Sequence, residues 1–466
     1  MSKAILTACG AALALALGGC VNMAPKLPAA QPAIPVAWAL PADSAGQGSA
    51  AEIGWRQFYT DARLVQLIEL ALQNNRDLRV AVLNVEKARS LYRVQRADRL
   101  PSVGVTAQQQ RVGGSGGAQQ VGPEYSVNLG VTDFELDLFG RVRSLSTGAL
   151  ERYLAQGEAG RSTQLSLIAE VANAWLTLAA DQESLKVAKA TRENQEASFK
   201  LTQQRHVLGG ASSLDVSQAQ TTVESARADM ARYAGQVAQD TNALRLLIGG
   251  PFDEALLPAG LDDRVTMLGG LPAGLPSDVL LRRPDIRQAE HLLRAANADI
   301  GAARAAFFPS IRLTGSIGTA SNELSGLFDG GTRVWSFTPQ INLPIFQGGR
   351  LRAQLAGAKT DQQIALAQYE KAIQAGFREV ADALALTGTL AEQRLAQESL
   401  VGAAARADEL SRARYRAGKD SYLVALDAQR ALYAAQQQLI ATRLSEQTNR
   451  ITLYKVLGGG WTERSP

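Results

Sequence analysis

The chain has 466 residues, a fifth of them charged, and its net charge of +4 comes from basic and acidic residues interspersed along the sequence. That balance argues against a nucleic-acid partner, which would show clustered Lys and Arg. Of the two cysteines Cys9 lies in a leader segment, so no intrachain disulfide is available, and the two histidines, His206 and His291, have no Cys or carboxylate cluster at metal-ligand spacing.

Residues 1–19 read as a lipoprotein signal peptide, with Lys3 ahead of an apolar run over residues 4–17 and small residues before Cys20. Leu17-Gly18-Gly19-Cys20 resembles the bacterial lipobox, whose Cys is lipidated, and Val21 stands where an inner-membrane retention signal would place Asp. A plain secretory signal with an incidental Cys20 is the alternative. Acyl chains on Cys20 would contribute about 0.8 kcal/mol per buried CH₂. Residues 20–50, with Pro25, Pro28, Pro32, Pro35 and Pro41, read as an extended tether. Beyond the signal no apolar run approaches the roughly 18 residues of a transmembrane helix. A chain that crosses a membrane must then do so as a closed β-barrel.

Residues 51–250 form a first structural unit. An amphipathic helical pattern runs from Asp61 to Arg99 with a break near Asn74-Asn75. Two alternating stretches follow at about 102–110 and 125–138, flanking the glycine loop Gly113 to Gly117 as in a β-hairpin. The alternation flips phase at Thr132-Asp133, as a bulge requires. That loop lacks the Lys-Ser/Thr of a phosphate cradle. Residues 140–248 then read as a helical hairpin turning at Gly209-Gly210, with Ser212 as the start of the return helix.

Residues 251–283, rich in Pro and Gly, link to a second unit over 284–460, and 461–466 form a tail. The second unit repeats the first. Arg205 aligns with Arg414 and Gly249 with Gly458 at an offset of 209, and Asp77 aligns with Asp285 at an offset of 208. Its strands are expected at 310–318 and 335–346, and its helical hairpin at 349–457. Gly418 ends the first arm of that hairpin, and Asp420-Ser421 opens the second. An arm of about 60 residues rises about 90 Å, longer than one chain can bury.

Four strands of membrane-spanning length cannot close a barrel, which needs at least about eight. Several copies must share one. Spacing alone does not choose between two, three or four.

The stretches Arg414-Tyr415-Arg416-Ala417-Gly418, Phe134-Glu135-Leu136-Asp137-Leu138-Phe139-Gly140-Arg141 and Leu281-Arg282-Arg283-Pro284-Asp285-Ile286 resemble the outer-membrane lipoproteins of the TolC superfamily, OprM/NodT type. The resemblance covers residues 55–460. It implies a mainly α fold with a membrane β-barrel: a homotrimer in the outer membrane, whose strands make one 12-stranded barrel and whose hairpins make a periplasmic tunnel. It also implies a periplasmic adaptor and an inner-membrane resistance-nodulation-division pump as partners, with small toxic compounds as cargo. Gly209, Gly210, Gly418, Ser212 and Ser421 would sit at the tips that meet the adaptor.

Asp420 and Asp427, seven residues apart, would share one helix face. Their first-half counterparts are Ala211 and Gln218, so only one hairpin is acidic. In a trimer each would make a ring of three carboxylates favouring cations. The resemblance places Asp427 at the periplasmic entrance and Tyr415 in holding it shut. For Asp420 a helix N-cap is the other reading, for Asp427 an exposed helix charge, and for Tyr415 ordinary packing. No nucleophile–base set is present, so no enzyme is expected. A duct for type I protein secretion and a periplasmic scaffold lipoprotein are the competing functions.

Overall fold

The computed structural model describes residues 22–32, 34–35, 38, 53–111, 123–261 and 277–459. Cys20 and the signal segment, residues 39–52, the Gly113 to Gly117 loop, residues 262–276 of the linker and the tail lie outside the described residues.

Two arrays of the same elements follow one another. The first has α1 (Trp55–Phe58), α2 (Ala62–Asn74), α3 (Arg76–Ala97), β1 (Val103–Gln110), β2 (Glu124–Leu136), α4 (Arg141–Val207) and α5 (Ser213–Ile248). The second has α6 (Pro284–Ala305), β3 (Ser310–Ser321), β4 (Arg333–Asn342), α7 (Arg350–Arg416) and α8 (Tyr422–Val456). α4 and α7 are each 67 residues long. The expected class, mainly α with four strands per chain, is the observed one. Asn75 divides the expected 61–99 helix into two. The linker contains short 3₁₀ turns at Glu254–Leu256 and Ser277–Arg282. β4 stops at Asn342, short of the expected 346, where Pro344 has no N–H to continue a ladder.

The chain divides into two compact units: Met1–Gln31 with Leu83–Glu158 and Arg287–Ala372, and Pro32–Val82 with Ala159–Ile286 and Ile373–Pro466. The first unit holds the sheet, a four-stranded antiparallel meander in the order β1-β2-β3-β4. Its register sorts residues into rows. Val105, Leu129, Ile317 and Trp335 lie side by side, as do Val103, Val131, Gly315 and Phe337. The intervening rows are Gly104, Gly130, Ser316 and Ser336, and Thr106, Asn128, Gly318 and Val334. Successive side chains point to opposite faces, so one face is apolar and the other polar and small. Glycine is needed in the polar rows: a Cβ on Gly318 would stand 2.1 Å from the Val127 carbonyl oxygen.

Between Val131 and Phe134 the register shifts, so three steps of β2 face two steps of β3 from Gly315 to Leu313. Asp133, at φ 57°, is the surplus position, and its carboxylate accepts from Arg312 at 2.8 Å. The bulge keeps Phe134 and Leu136 on the apolar face with Val131.

In the same unit residues 22–31 are not a free tether. Arg304 donates to the Met23 carbonyl oxygen (3.1 Å), Asn297 to that of Pro25 (2.9 Å), and the Gln31 N–H donates to Glu370 (3.0 Å). Gly301 leaves space for Ala24, whose nitrogen would be 2.9 Å from a Cβ there. The strap is extended because Pro-rich backbone lacks donors for a helix, and its carbonyls are satisfied by side chains of α6.

The second unit holds the main apolar core. Trp55, Phe58, Leu64, Leu67 and Ile68 of α1 and α2 bury themselves against Val171, Trp175 and Leu178 of α4 and Leu244 and Ile248 of α5. Tyr454 of α8 stacks on Phe58 with centroids 3.8 Å apart. Away from this core the long hairpins are thinly buried, as expected of Ala-rich helices whose partners are other helices.

Candidate functional site

The site is built from the two helical turns in the second unit. Gly209 and Gly418 end α4 and α7 at φ 74° and 72°, a left-handed conformation that costs glycine no Cβ clash. Their helices close with matching bonds, Gly210 N–H to the Arg205 carbonyl (2.7 Å) and Lys419 N–H to that of Arg414 (2.9 Å). Ser212 caps α5 in a reciprocal box with Asp215, accepting at 3.1 Å and donating its own N–H at 2.9 Å. Ser421 is the N-cap of α8 but makes no side-chain capping bond.

Asp420 precedes the N-cap Ser421, so it lies outside α8 rather than on a helix face with Asp427, and its side chain is not the expected cap. Its carboxylate is gripped at two points by Arg414, Nε at 2.6 Å and an η nitrogen at 2.9 Å. The hydrogen bond from Arg414 holds the Asp420 carboxyl below the usual carboxylate range. Asp427 is exposed in the second turn of α8.

Tyr415 is buried at 8% exposure in a small cluster with Tyr422, Ala425, Leu426 and Ala219, so packing and bonding coincide there. Its hydroxyl lies 3.1 Å from the Thr202 hydroxyl, and its ring meets Tyr422 edge-on at 5.5 Å. Arg205 crosses from α4 and donates to the carbonyl oxygens of Tyr415 (3.0 Å) and Arg416 (2.8 Å), with its guanidinium 4.7 Å from the Tyr415 ring centre. The two hairpin tips are therefore latched by one cation and one hydroxyl pair. Sequence reasoning missed Thr202 and Arg205. The repeat held a signal for Arg205, which aligns with Arg414; nothing local marks Thr202.

His206 donates its Nδ1–H to the Ala211 carbonyl (2.9 Å), and His291 meets Glu151 at 2.6 Å in the other unit. Among the described residues no group of three or more His, Cys, Asp or Glu is placed to hold a metal, and no helix is long and apolar enough to cross a membrane.

Around these turns the exposed surface includes large apolar side chains, with Val207 and Leu208 at 84% and 85% exposure, beside the exposed Arg416 and Lys419. In the sheet Trp335 and Phe337 are 78% and 62% exposed, and β1 and β4 each have an unpaired edge. An apolar sheet face, a polar reverse face and long, thinly covered helical hairpins define a subunit of a membrane channel.

The family follows from comparison with known proteins. The family model described as outer membrane efflux protein matches residues 67–250 and 275–459, and the chain belongs to that family. The antibiotic efflux pump outer membrane protein ArpC of Pseudomonas putida is 49% identical, the alignment covering 100% of this chain and 97% of that protein. OprJ, an outer membrane protein of Pseudomonas aeruginosa, is 44% identical over 97% of this chain and 95% of its own length. The open-state MtrE outer membrane channel of Neisseria gonorrhoeae superposes with a TM-score of 0.87 at 40% identity, covering 96% of this chain and all of that one. The protein is an efflux channel of the outer membrane, a transport component that works with other parts of an efflux pump.

Proposed function

We propose that three copies of this chain close one 12-stranded barrel and that their hairpins form a periplasmic tunnel closed at the helical turns. The observation that carries this is the open sheet. Its two edges leave backbone groups unpaired, each at a cost of several kcal/mol in lipid, and only further strands can satisfy them. Cys20 carries the acyl anchor. The exposed tips around Gly209, Gly210, Ser212, Gly418 and Ser421 dock a periplasmic adaptor that joins the channel to a resistance-nodulation-division pump. The cargo is small and toxic, in keeping with relatives named for antibiotic, toluene and solvent efflux.

In the assembled channel the exposed Asp427 supplies a ring of three carboxylates near the entrance, and Tyr415 with Arg205 and Thr202 holds the entrance shut. Native mass spectrometry of detergent-extracted protein tests the assembly: a mass of three chains is expected, and a stable folded single chain overturns it. Planar-bilayer recording tests the ring, with Asp427→Ala expected to weaken cation preference.

A further inference from the structure

Asn75 and Arg283 are equivalent residues of the two repeats, related by the same offset of 208 that joins Asp77 to Asp285. Asn75 is buried just before α3, and its Nδ2 donates to the Leu247 carbonyl oxygen at 2.8 Å, in the last turn of α5. Arg283 is buried just before α6, and one η nitrogen donates to the Val456 carbonyl oxygen at 3.1 Å, at the last residue of α8. Val456 is the counterpart of Leu247 at the offset of 209. Each clasp thus fills a carbonyl that a helix C-terminus leaves open.

The clasps differ in charge. That of Asn75 is neutral and lies beside an α5 end fixed in the apolar core by Leu244 and Ile248. Arg283 donates as well to Asp285 (3.1 and 2.8 Å) and to Glu379 of α7 (2.7 Å). Gly376 makes room for it: a Cβ there would stand 3.4 Å from the guanidinium and 3.3 Å from Ile286. One buried cation therefore joins the start of α6, the middle of α7 and the end of α8. A cavity of about 410 Å³ borders the ion pairs, lined by Glu170, Asn173, Thr452 and Lys455 among others, and leaves α7 and α8 space to shift.

We infer that Arg283 is a positioning residue for the channel, which sets from the root how the α7–α8 hairpin is aimed and so where its tip rests. From Glu379 to Tyr415, 36 residues on, α7 rises about 54 Å, so a change of about 5° at the root moves the tip about 5 Å. The inference rests on the proposed closure at that tip.

Arg283→Asn installs the first repeat's residue, keeping a donor for Val456 while leaving Asp285 and Glu379 uncompensated. In reconstituted trimers it is expected to raise single-channel conductance at least twofold. Adding Glu379→Gln to the same chain should return it toward the native value, and Glu379→Gln alone should give a smaller rise. Tyr415→Ala is recorded alongside. If it opens the channel while Arg283→Asn and Glu379→Gln conduct as native, the inference about the root is overturned alone. If all three conduct as native, the tip reading falls with it. Should Arg283→Asn fail to assemble, Glu379→Gln decides: a raised conductance supports the inference and a native one overturns it.

Discussion

Arg205 and Tyr415 meet across 210 residues of sequence, the guanidinium of one bonded to the backbone carbonyl of the other at 3.0 Å and lying over its ring. Because the same cation also reaches the Arg416 carbonyl, its planar array of donors is used twice. Lysine has no such array. Arg205→Lys should therefore lose one charge-assisted bond of about 1.5 kcal/mol, which shifts a closed–open equilibrium about tenfold toward open. Bilayer recordings should show a raised open fraction in Arg205→Lys and a larger one in Arg205→Ala. A Lys variant indistinguishable from native would remove the latch.

The Tyr415–Thr202 hydroxyl pair should be separable from this contact. Tyr415→Phe and Thr202→Val each break it while keeping shape. A double-mutant cycle on thermal melting should give a coupling of about 1 kcal/mol. Additive effects would mean that the hydroxyls do not interact.

Asp420 and Asp427 should behave differently despite their shared charge. Asp420→Ala frees Arg414 and should leave cation preference nearly unchanged, whereas Asp427→Ala should reduce it. Because the Asp420 carboxyl is depressed below its usual 3.8, the pair with Arg414 is fully present above that value and is lost only as pH falls below it. Conductance changes between pH 7 and 5 should thus survive Asp420→Ala. Their disappearance in that variant would refute this assignment.

Asp240 of α5 gives the opposite sign. Burial first, and neighbouring Asp181 second, push its carboxyl up from 3.8 to about 6. The folded protein holds this proton more tightly than the unfolded chain. Its stabilising contribution is full below about 3.8 and lost as pH rises through about 6. Melting temperature should rise by a few degrees from pH 7.5 to 5.5, and Asp240→Asn should flatten that slope.

The two faces of the sheet make a further contrast. Phe337→Lys places a charge on the lipid face, at about 2–4 kcal/mol near the bilayer midplane. It should sharply reduce the yield of folded trimer in the outer membrane. Ser336→Lys, one residue earlier on the polar face, should fold and instead lower cation preference. Equal yields would contradict the assignment of faces.

Much of this architecture was legible in the sequence because it rests on local chemistry. Period two exposes the strands around Val105 and Phe337, glycines mark both turns, and the duplication is read from residues such as Arg205 and Arg414. What stayed hidden depends on long-range neighbours. Nothing near Asp420 says that Arg414, six residues earlier, will take its carboxylate in place of a helix N-terminus. Residues 22–31 carry the composition of a free tether, and only Asn297, Arg304 and Glu370, hundreds of residues away, reveal a strap. Thr202 is one hydroxyl among many on a long helix.

The extra position beside Asp133 works as a frame-shift written in protein. Upstream of it odd-numbered residues of β2 lie on the apolar face; downstream the even-numbered ones do. Straightening the strand with that residue still in place would turn Glu135 to the face of Val131 and carry Phe134 and Leu136 to the opposite one, without altering any side chain. A chain that lacked the surplus residue and the bulge together would keep Phe134 opposite Leu313, so residue and bulge should be gained or lost only as a pair.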